Sequence, residues 1–355
     1  MSDEARRILA AAARGERIDG PLDAAMLDAA ESAGMEGLLV HHAMDPPREL
    51  RVVAGAIHAR AMALAVELAR IAVAFREAGI PLLALKGPVV SQQLYGNPGL
   101  RLFADLDMIV DSADTLRGEA LLASLSYRDE EPMMPGQRRT KHRFHGATAF
   151  VNDERGTQVD FHWRFGHVQF PLALPFADAW RRHIAVDLTG TPIDTLGLVD
   201  LTIFTCSHAA KHFWPGMETL AQFAALTRLP VDWEEVDRVA VAARAARRVG
   251  LSFLIAEEEL GVPSPRLPRC LAASRPVFER LRPRLAATRG HGARGRDLLL
   301  VLDRRRDALA AFAAAVFVPT HSDWSAMRLP DALYWVVRPF RLIGKRVMRQ
   351  GPERR

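Results

Sequence analysis

From Arg48 to Gly79 apolar side chains return every three to four residues. Val52, Ile57, Ala61, Leu64, Leu68, Ile71 and Phe75 form one stripe, which predicts a long amphipathic helix stopped by Gly79. The residues before it also read as helical. Asp3 is placed to cap a first helix, and Asp19-Gly20-Pro21-Leu22-Asp23 punctuates before a second. The texture then changes. Ile80 to Leu85 is a short apolar run that predicts a buried strand, ended by Lys86-Gly87-Pro88. Val89 to Tyr95 suits a short helix, Phe103 to Val110 a second strand, and Asp111 to Ser126 a helix. Ala147–Asn152 and Thr157–Phe165 alternate around Asp153-Glu154-Arg155-Gly156, a hairpin signal. After Pro175 the pattern is helical to about residue 349, with a loop expected around Arg289 to Gly295. The division that follows is 1–79 helical, 80–170 carrying the strands, and 171–355 helical with a basic tail.

Composition narrows the classes. The 355 residues are enough for two domains with real cores. Two cysteines, Cys206 and Cys270, exclude a disulfide framework and a four-cysteine zinc site, and a cytoplasmic setting is expected. The start resembles no signal peptide. No apolar run reaches the roughly 18 residues of a membrane span, the best being Ala308 to Val318. The net charge is +5, but only four of the 47 basic residues are lysines: Lys86, Lys141, Lys211 and Lys345. That bias, beside so much alanine, looks partly like codon usage, so nucleic acid is the less favoured partner.

The chemistry concentrates at Asp105-Leu106-Asp107. Side chains at i and i+2 of a strand share a face, so two carboxylates project together while Leu106 turns to a core. Like charges side by side are costly without a cation, and a hard divalent ion with oxygen ligands, Mg²⁺ or Mn²⁺, relieves the cost. A capping Asp105 and an arginine-paired Asp107 is the competing reading. Gly87, at a strand-to-helix turn behind Lys86, makes an anion seat with the helix end that follows. Asp160, in the strand Gln158 to Trp163, supplies a third carboxylate. Such a triad can hold two metal ions for in-line phosphoryl or nucleotidyl displacement.

The order of these pieces resembles the DNA polymerase β-like nucleotidyltransferase superfamily, and more narrowly a family of uncharacterised bacterial nucleotidyltransferases. The matching residues are Leu85-Lys86-Gly87, Tyr95-Gly96, Leu100-Arg101, Asp105 to Val110, Val159 to Arg164, His208-Ala209-Ala210-Lys211-His212 and Val318 to Trp324, then Leu329-Pro330 and Arg338-Pro339. The resemblance implies an α+β fold, a nucleotidyltransferase-type mixed sheet with flanking helices plus a C-terminal helical domain. It implies transfer of a nucleoside monophosphate from an NTP such as ATP to an acceptor that is a small molecule, peptide or protein. Asp105 and Asp107 become the metal-binding pair, and Asp160 a further ligand or the base. Lys86 and Gly87 become the phosphate turn. One departure stands out: Pro88 follows Gly87, where the superfamily carries a serine, and proline lacks even an N–H. RNA-end modification and nucleotide binding without catalysis remain the alternative functions.

Other residues carry paired readings. Arg101 binds the triphosphate or pairs with a nearby acid, and Tyr95 stacks on a base or packs. His162, two residues from Asp160, touches substrate or hydrogen-bonds a metal carboxylate; Arg164 returns to that face. His208, Lys211 and His212 share a helix face, expected to close over the nucleotide rather than to hold zinc. Lys141, His142, Arg143 and His145 form a basic cluster that guides an anion or is solvated. The tail, with Arg338, Arg341, Lys345, Arg346 and Arg349, lies on an anionic membrane surface or packs Leu333, Trp335, Val336, Phe340 and Ile343 inward. The packed form is preferred.

Overall fold

A computed structural model describes residues 1–20, 22–287, 295–327 and 329–349. Three short helices open the chain, α1 (Asp3–Ala13), α2 (Ala24–Ala33) and α3 (Glu36–His42), before the long α4 (Arg48–Glu77). The cap of α1 is Ser2, whose Oγ accepts from the Ala5 amide at 3.1 Å, not Asp3. Asp23 caps α2 as its position implied, accepting from Met26. Helix α4 contains a stretch of mean hydropathy 1.5, long and apolar enough to cross a membrane by length and composition, which corrects the estimate from uninterrupted runs. Most of its apolar stripe is spent in the core: Ile57, Ala61, Leu64, Leu68, Ile71 and Phe75 are buried, whereas Val52, near the start of the helix, is exposed.

The sheet has strands β1 (Leu82–Ala84), β2 (Leu106–Val110), β3 (Arg128–Asp129), β4 (Ala147–Asn152), β5 (Thr157–His162), β6 (Ile184–Leu188) and β7 (Thr191–Thr195). Their order is β3-β4-β5-β2-β1-β7-β6, mixed in direction. Helix α5 (Pro88–Tyr95) joins β1 to β2, and α6 (Thr115–Ser124) and α7 (Pro135–Phe144) lie between β2 and β4. The basic cluster at 141–145 therefore rides on a helix, with Lys141 and His145 buried, rather than on a solvated loop.

The helical pattern expected after Pro175 is broken by β6 and β7. After α8 (Phe176–Arg181) the chain forms this hairpin, and β7 runs parallel to β1, where Thr195 Oγ1 donates to the Ala84 carbonyl at 2.7 Å. Pro192, Asp187 and Asp194 gave little apolar alternation there, because β6 is a largely exposed edge strand. Helices follow: α9 (Leu198–Lys211), α10 (Met217–Thr227), α11 (Trp233–Ala242), α12 (Ala246–Leu260), α13 (Pro268–Ala287), α14 (Gly295–Leu300), α15 (Arg305–Phe317), α16 (His321–Trp324) and α17 (Asp331–Arg349). The loop expected over 289–294 lies outside the described residues.

The packing expected of α17 is reversed. Leu333, Val336 and Phe340 are 45%, 60% and 69% exposed, while Arg338 and Arg341 turn inward to pair with Asp323. Trp335 does pack, its ring 4.9 Å from that of Phe144; the Ile343 side chain is outside what the structure describes.

One face of the sheet is sealed by α4 and α6, with the Phe75 and Phe161 ring centroids 6.1 Å apart. Gly118 of α6 leaves room for this: a Cβ there would lie 2.4 Å from the tip of Phe161 and 3.2 Å from Phe75. Both rings are fully buried, so neither can swing away. Gly118→Ala is expected to destabilise the fold by about 1–3 kcal/mol, the usual cost of overpacking. Thermal unfolding of the variant should fall by several degrees; an unchanged midpoint would remove Phe161 as the strut beneath β5.

Candidate active site

Strand β5 runs parallel to β2 in a register that sets Asp107 beside Asp160 and Met108 beside Phe161. Alternation then sends Phe161 and Met108 into the α4 face, and Asp107, Asp160 and His162 to the opposite one. Ligand atoms of these three residues lie within 4.8 Å of one another, and among the described residues they are the one such cluster of His, Cys, Asp and Glu. Asp160 thus falls on the face of Asp107, as the motif requires.

Asp107 is buried, and two side chains hold it. Lys86 Nζ donates to its Oδ1 at 2.6 Å and His162 Nε2 meets the same oxygen at 3.1 Å. Burial would raise the Asp107 carboxyl, but the Lys86 charge and the His162 hydrogen bond hold it well below the usual carboxylate range. The Asp105 carboxyl is instead raised, by burial and then by the charges of Asp107 and Asp160. Asp105 sits just before β2 rather than within it. Gln158 Nε2 donates to Asp160 Oδ1 at 3.3 Å, a partner the sequence reading did not identify.

The turn before α5 has the geometry its glycine permits. Gly87 adopts φ +73°, ψ −145°, a region closed to side chains. Pro88 fills the first position of α5 and has no N–H, so the helix end offers only the amides that follow. The Leu85 amide donates to the Asp107 carbonyl at 2.9 Å, which ties the turn to the carboxylate strand.

The end of α9 forms a wall. The Lys211 ammonium is depressed by desolvation and then by Lys86, with Asp107 and Asp160 acting the other way. His208 is lowered by burial and again by Lys86, and His212 by burial and then by Lys211. All three side chains feel the charge of Lys86, so this face lies near the site. Neither histidine belongs to a metal-competent cluster among the described residues.

Two predicted residues are engaged elsewhere. Arg101 pairs with Glu218 of α10 and lies over the Phe103 ring, which is the ion-pair reading. Arg164 is exposed and donates to the Arg143 carbonyl at 3.1 Å. Strand β5 ends at His162, so the alternation that would return Arg164 to the site face has already stopped. Tyr95 keeps its hydroxyl buried without a hydrogen-bond partner, and burial pushes that phenol far up.

Beyond Lys211 opens a cavity of about 500 Å³, lined by Lys141, His145, His167, His321 and Trp324 among others. Sequence reasoning did not connect these residues. The only hints were the basic cluster and the stretch 318–324. They meet because α7, the loop after β5 and α16 converge, which no local pattern encodes.

The model of a family described as "Uncharacterised nucleotidyltransferase" matches residues 24–261. No curated protein matches the chain. Among solved structures, the antibiotic-resistance factor ANT(2'')-Ia is similar, with 14% identity over 51% of this chain and 89% of that one, at a TM-score of 0.34.

His167 gives a pH test of the site's surroundings. Burial, and then the neighbouring His145 and Lys211, lower it from 6.5 to about 4. The unfolded chain thus takes up this proton first. Stability should fall as pH drops from about 6.5 towards about 4, and return as pH rises through that window. His167→Gln, whose amide can still donate, should flatten that part of the thermal-stability profile. An identical profile in the variant would show that His167 is not held neutral.

Proposed function

The chain belongs to the uncharacterised nucleotidyltransferase family, and on that premise we propose that it moves a nucleoside monophosphate from an NTP to an acceptor with a divalent cation bound at Asp105, Asp107 and Asp160. The observation that carries this is the parallel register of Asp107 and Asp160, which brings two carboxylates together on one face. Lys86 balances Asp107 alone, so the pair keeps a negative charge that a further cation would offset. The donors are hard oxygens, suited to Mg²⁺ or Mn²⁺, and His162 bonds to Asp107 as an orienting partner would. When bound, such an ion polarises the phosphoryl oxygens and offsets developing charge.

The chain's own residues divide the rest of the work. Lys86 offers its ammonium group to the phosphates from the turn, and Lys211 borders them from α9. Gly87 lets the backbone approach. An oxygen of the acceptor forms the new bond to the α-phosphorus as the bond to pyrophosphate breaks and its electron pair leaves with pyrophosphate. An acceptor hydroxyl proton passes to Asp160 or to solvent. Residues 80–170 together with the 184–195 hairpin make the transferring unit, with 1–79 and the later helices as its supports.

Magnesium-dependent binding of a nonhydrolysable ATP analogue, read by calorimetry, is the direct test. Lys86→Ala should weaken it by about 1.5–3 kcal/mol, the range for a hydrogen bond to a charged group, and Lys86→Arg should not restore it fully. Asp107→Ala should abolish the Mg²⁺ dependence and pyrophosphate release. Unchanged affinity in Lys86→Ala, at unchanged stability, would sink the phosphate role of Lys86.

The tail supports a second reading. On α17, Leu333, Val336 and Phe340 form an exposed stripe, and on α15 Leu309 and Phe312 are 70% and 58% exposed. Arg304, Arg305 and Arg306 are exposed at the start of α15, and the sequence adds Lys345, Arg346 and Arg349 to α17. Apolar side chains beside arginines and lysines fit an anionic bilayer surface. The protein should sediment with phosphatidylglycerol-containing vesicles and not with phosphatidylcholine alone, and Phe312→Glu with Phe340→Glu should release it. Equal sedimentation with both vesicle types, or none, rejects the membrane contact.

A further inference from the structure

We propose that the cavity beyond Lys211 is the acceptor site, and that the acceptor is a small organic anion carrying a phosphate or carboxylate on a body with an apolar face. The proposal rests on the carboxylate cluster being the transfer centre. At about 500 Å³ the cavity is ligand-sized.

Its charge is the first argument. The chain uses lysine at only four positions. One, Lys86, is at the carboxylates, and Lys141 and Lys211 both line this cavity. Lysine is a compact point charge where arginine is a broad fork, so its rare placements mark spots where space around the cation matters. Lys141 is buried, unusual for a lysine. Its one carboxylate neighbour, Glu131, is 3.5 Å away and is shared with His321 at 2.9 Å. Lys211 makes no hydrogen bond or ion pair among the described residues. Two ammonium groups thus face one carboxylate, the only acid in the lining.

His145 and His167 stiffen the wall without adding charge to it. The Pro319 carbonyl can only accept, so His145 Nε2 must carry the hydrogen in their 2.9 Å contact. His145 Nδ1 then accepts from His167 Nε2 at 3.1 Å, and His167 Nδ1 accepts from the Gln169 amide at 3.2 Å. Every ring nitrogen is committed, and burial leads the lowering of both histidines. The chain of bonds fixes the end of α7 to the loop after β5 and to the approach of α16. The two ammoniums and the apolar Phe170 and Trp324 are left to meet a ligand, with the Gln169 side-chain amide and Leu298 beside them. Behind Phe170 lies the fully buried Arg248, its guanidinium 5.1 Å from the ring centroid, with Nε and Nη1 unpartnered. Asp303 and Asp307 are its nearest acids.

Position is the second argument. Lys211 lines the cavity and also feels Lys86, Asp107 and Asp160. An anion held by Lys211 therefore sits at the boundary between cavity and transfer centre, where an acceptor belongs. The competing source of anionic groups is the nucleotide's own phosphates.

Calorimetric titration of the full chain separates these. The probes are inorganic phosphate, benzoate, and benzylamine as a cation of the same size, each alone and after saturation with a nonhydrolysable ATP analogue and Mg²⁺. We expect both anions to bind, benzylamine not to, and anion binding to persist beside the nucleotide. Lys141→Met and Lys211→Met should each weaken benzoate at least tenfold; Lys211 is solvent-exposed, so its variant keeps the test open should the buried Lys141 variant fail to fold. Binding of benzylamine as tight as benzoate, no saturable anion binding, or indifference to both lysine variants overturns the proposal. Competition between anion and nucleotide gives the cavity to the nucleotide's phosphates and also overturns it. A nucleotide analogue that fails to bind while the anions do overturns the transfer-centre reading and leaves the anion site supported.

Discussion

Two carboxylates on adjacent parallel strands repel each other, and the architecture around the site answers that repulsion. Asp107 and Asp160 are brought side by side by the β2–β5 register. Asp107 is buried, so its charge cannot be left to water. Lys86 supplies the balancing ammonium at 2.6 Å and His162 a further hydrogen bond. The turn that presents Lys86 is tied to the same strand through the Leu85 amide. A rigid base is needed for this, and α4 and α6 provide it by clamping Phe161 from the opposite face. Shift β5 by one residue and Phe161 would enter the site while Asp160 entered the core.

The same electrostatics organises what lies further out. The charges of Lys86 and of the carboxylates both reach Lys211 and act on it in opposite directions, and Lys86 also lowers His208. Neutral histidines behind Lys211 avoid adding more positive charge to a region that already holds three ammoniums. The result is a gradient, with carboxylates at the sheet and ammonium groups at the cavity. The proposed transfer between two anionic partners would need both poles close together.

The C-terminal helices serve the site through ion pairs rather than through an apolar seam. Asp323 gathers Arg338 and Arg341 and also caps α16 by accepting from the Thr320 amide. This pulls the polar side of α17 inward and leaves its apolar side on the surface. A buried carboxylate with two guanidiniums outweighs a few exposed apolar side chains, because leaving Asp323 unpaired in the interior costs far more than leaving Phe340 in water.

By itself the sequence determined the local frame. The stripe of α4, the strands β1, β2, β4 and β5, the Gly87 turn and the i, i+2 spacing of Asp105 and Asp107 are all short-range patterns, written in periodicity and turn chemistry. Asp160 was legible as a third carboxylate in a later strand, and the family resemblance gave it a role. Tertiary structure decided what depends on partners distant in sequence. It set Lys86 on Asp107, diverted Arg101 to Glu218 117 positions away, ended β5 before Arg164 could return, and drew β6 and β7 into the sheet from a segment that reads as helical. It also reversed the face of α17 and assembled the cavity from residues 131 to 324. The physical reason is that a side chain's face follows from backbone period, which is local, whereas its ionic partner follows from packing and desolvation, which are properties of the whole fold.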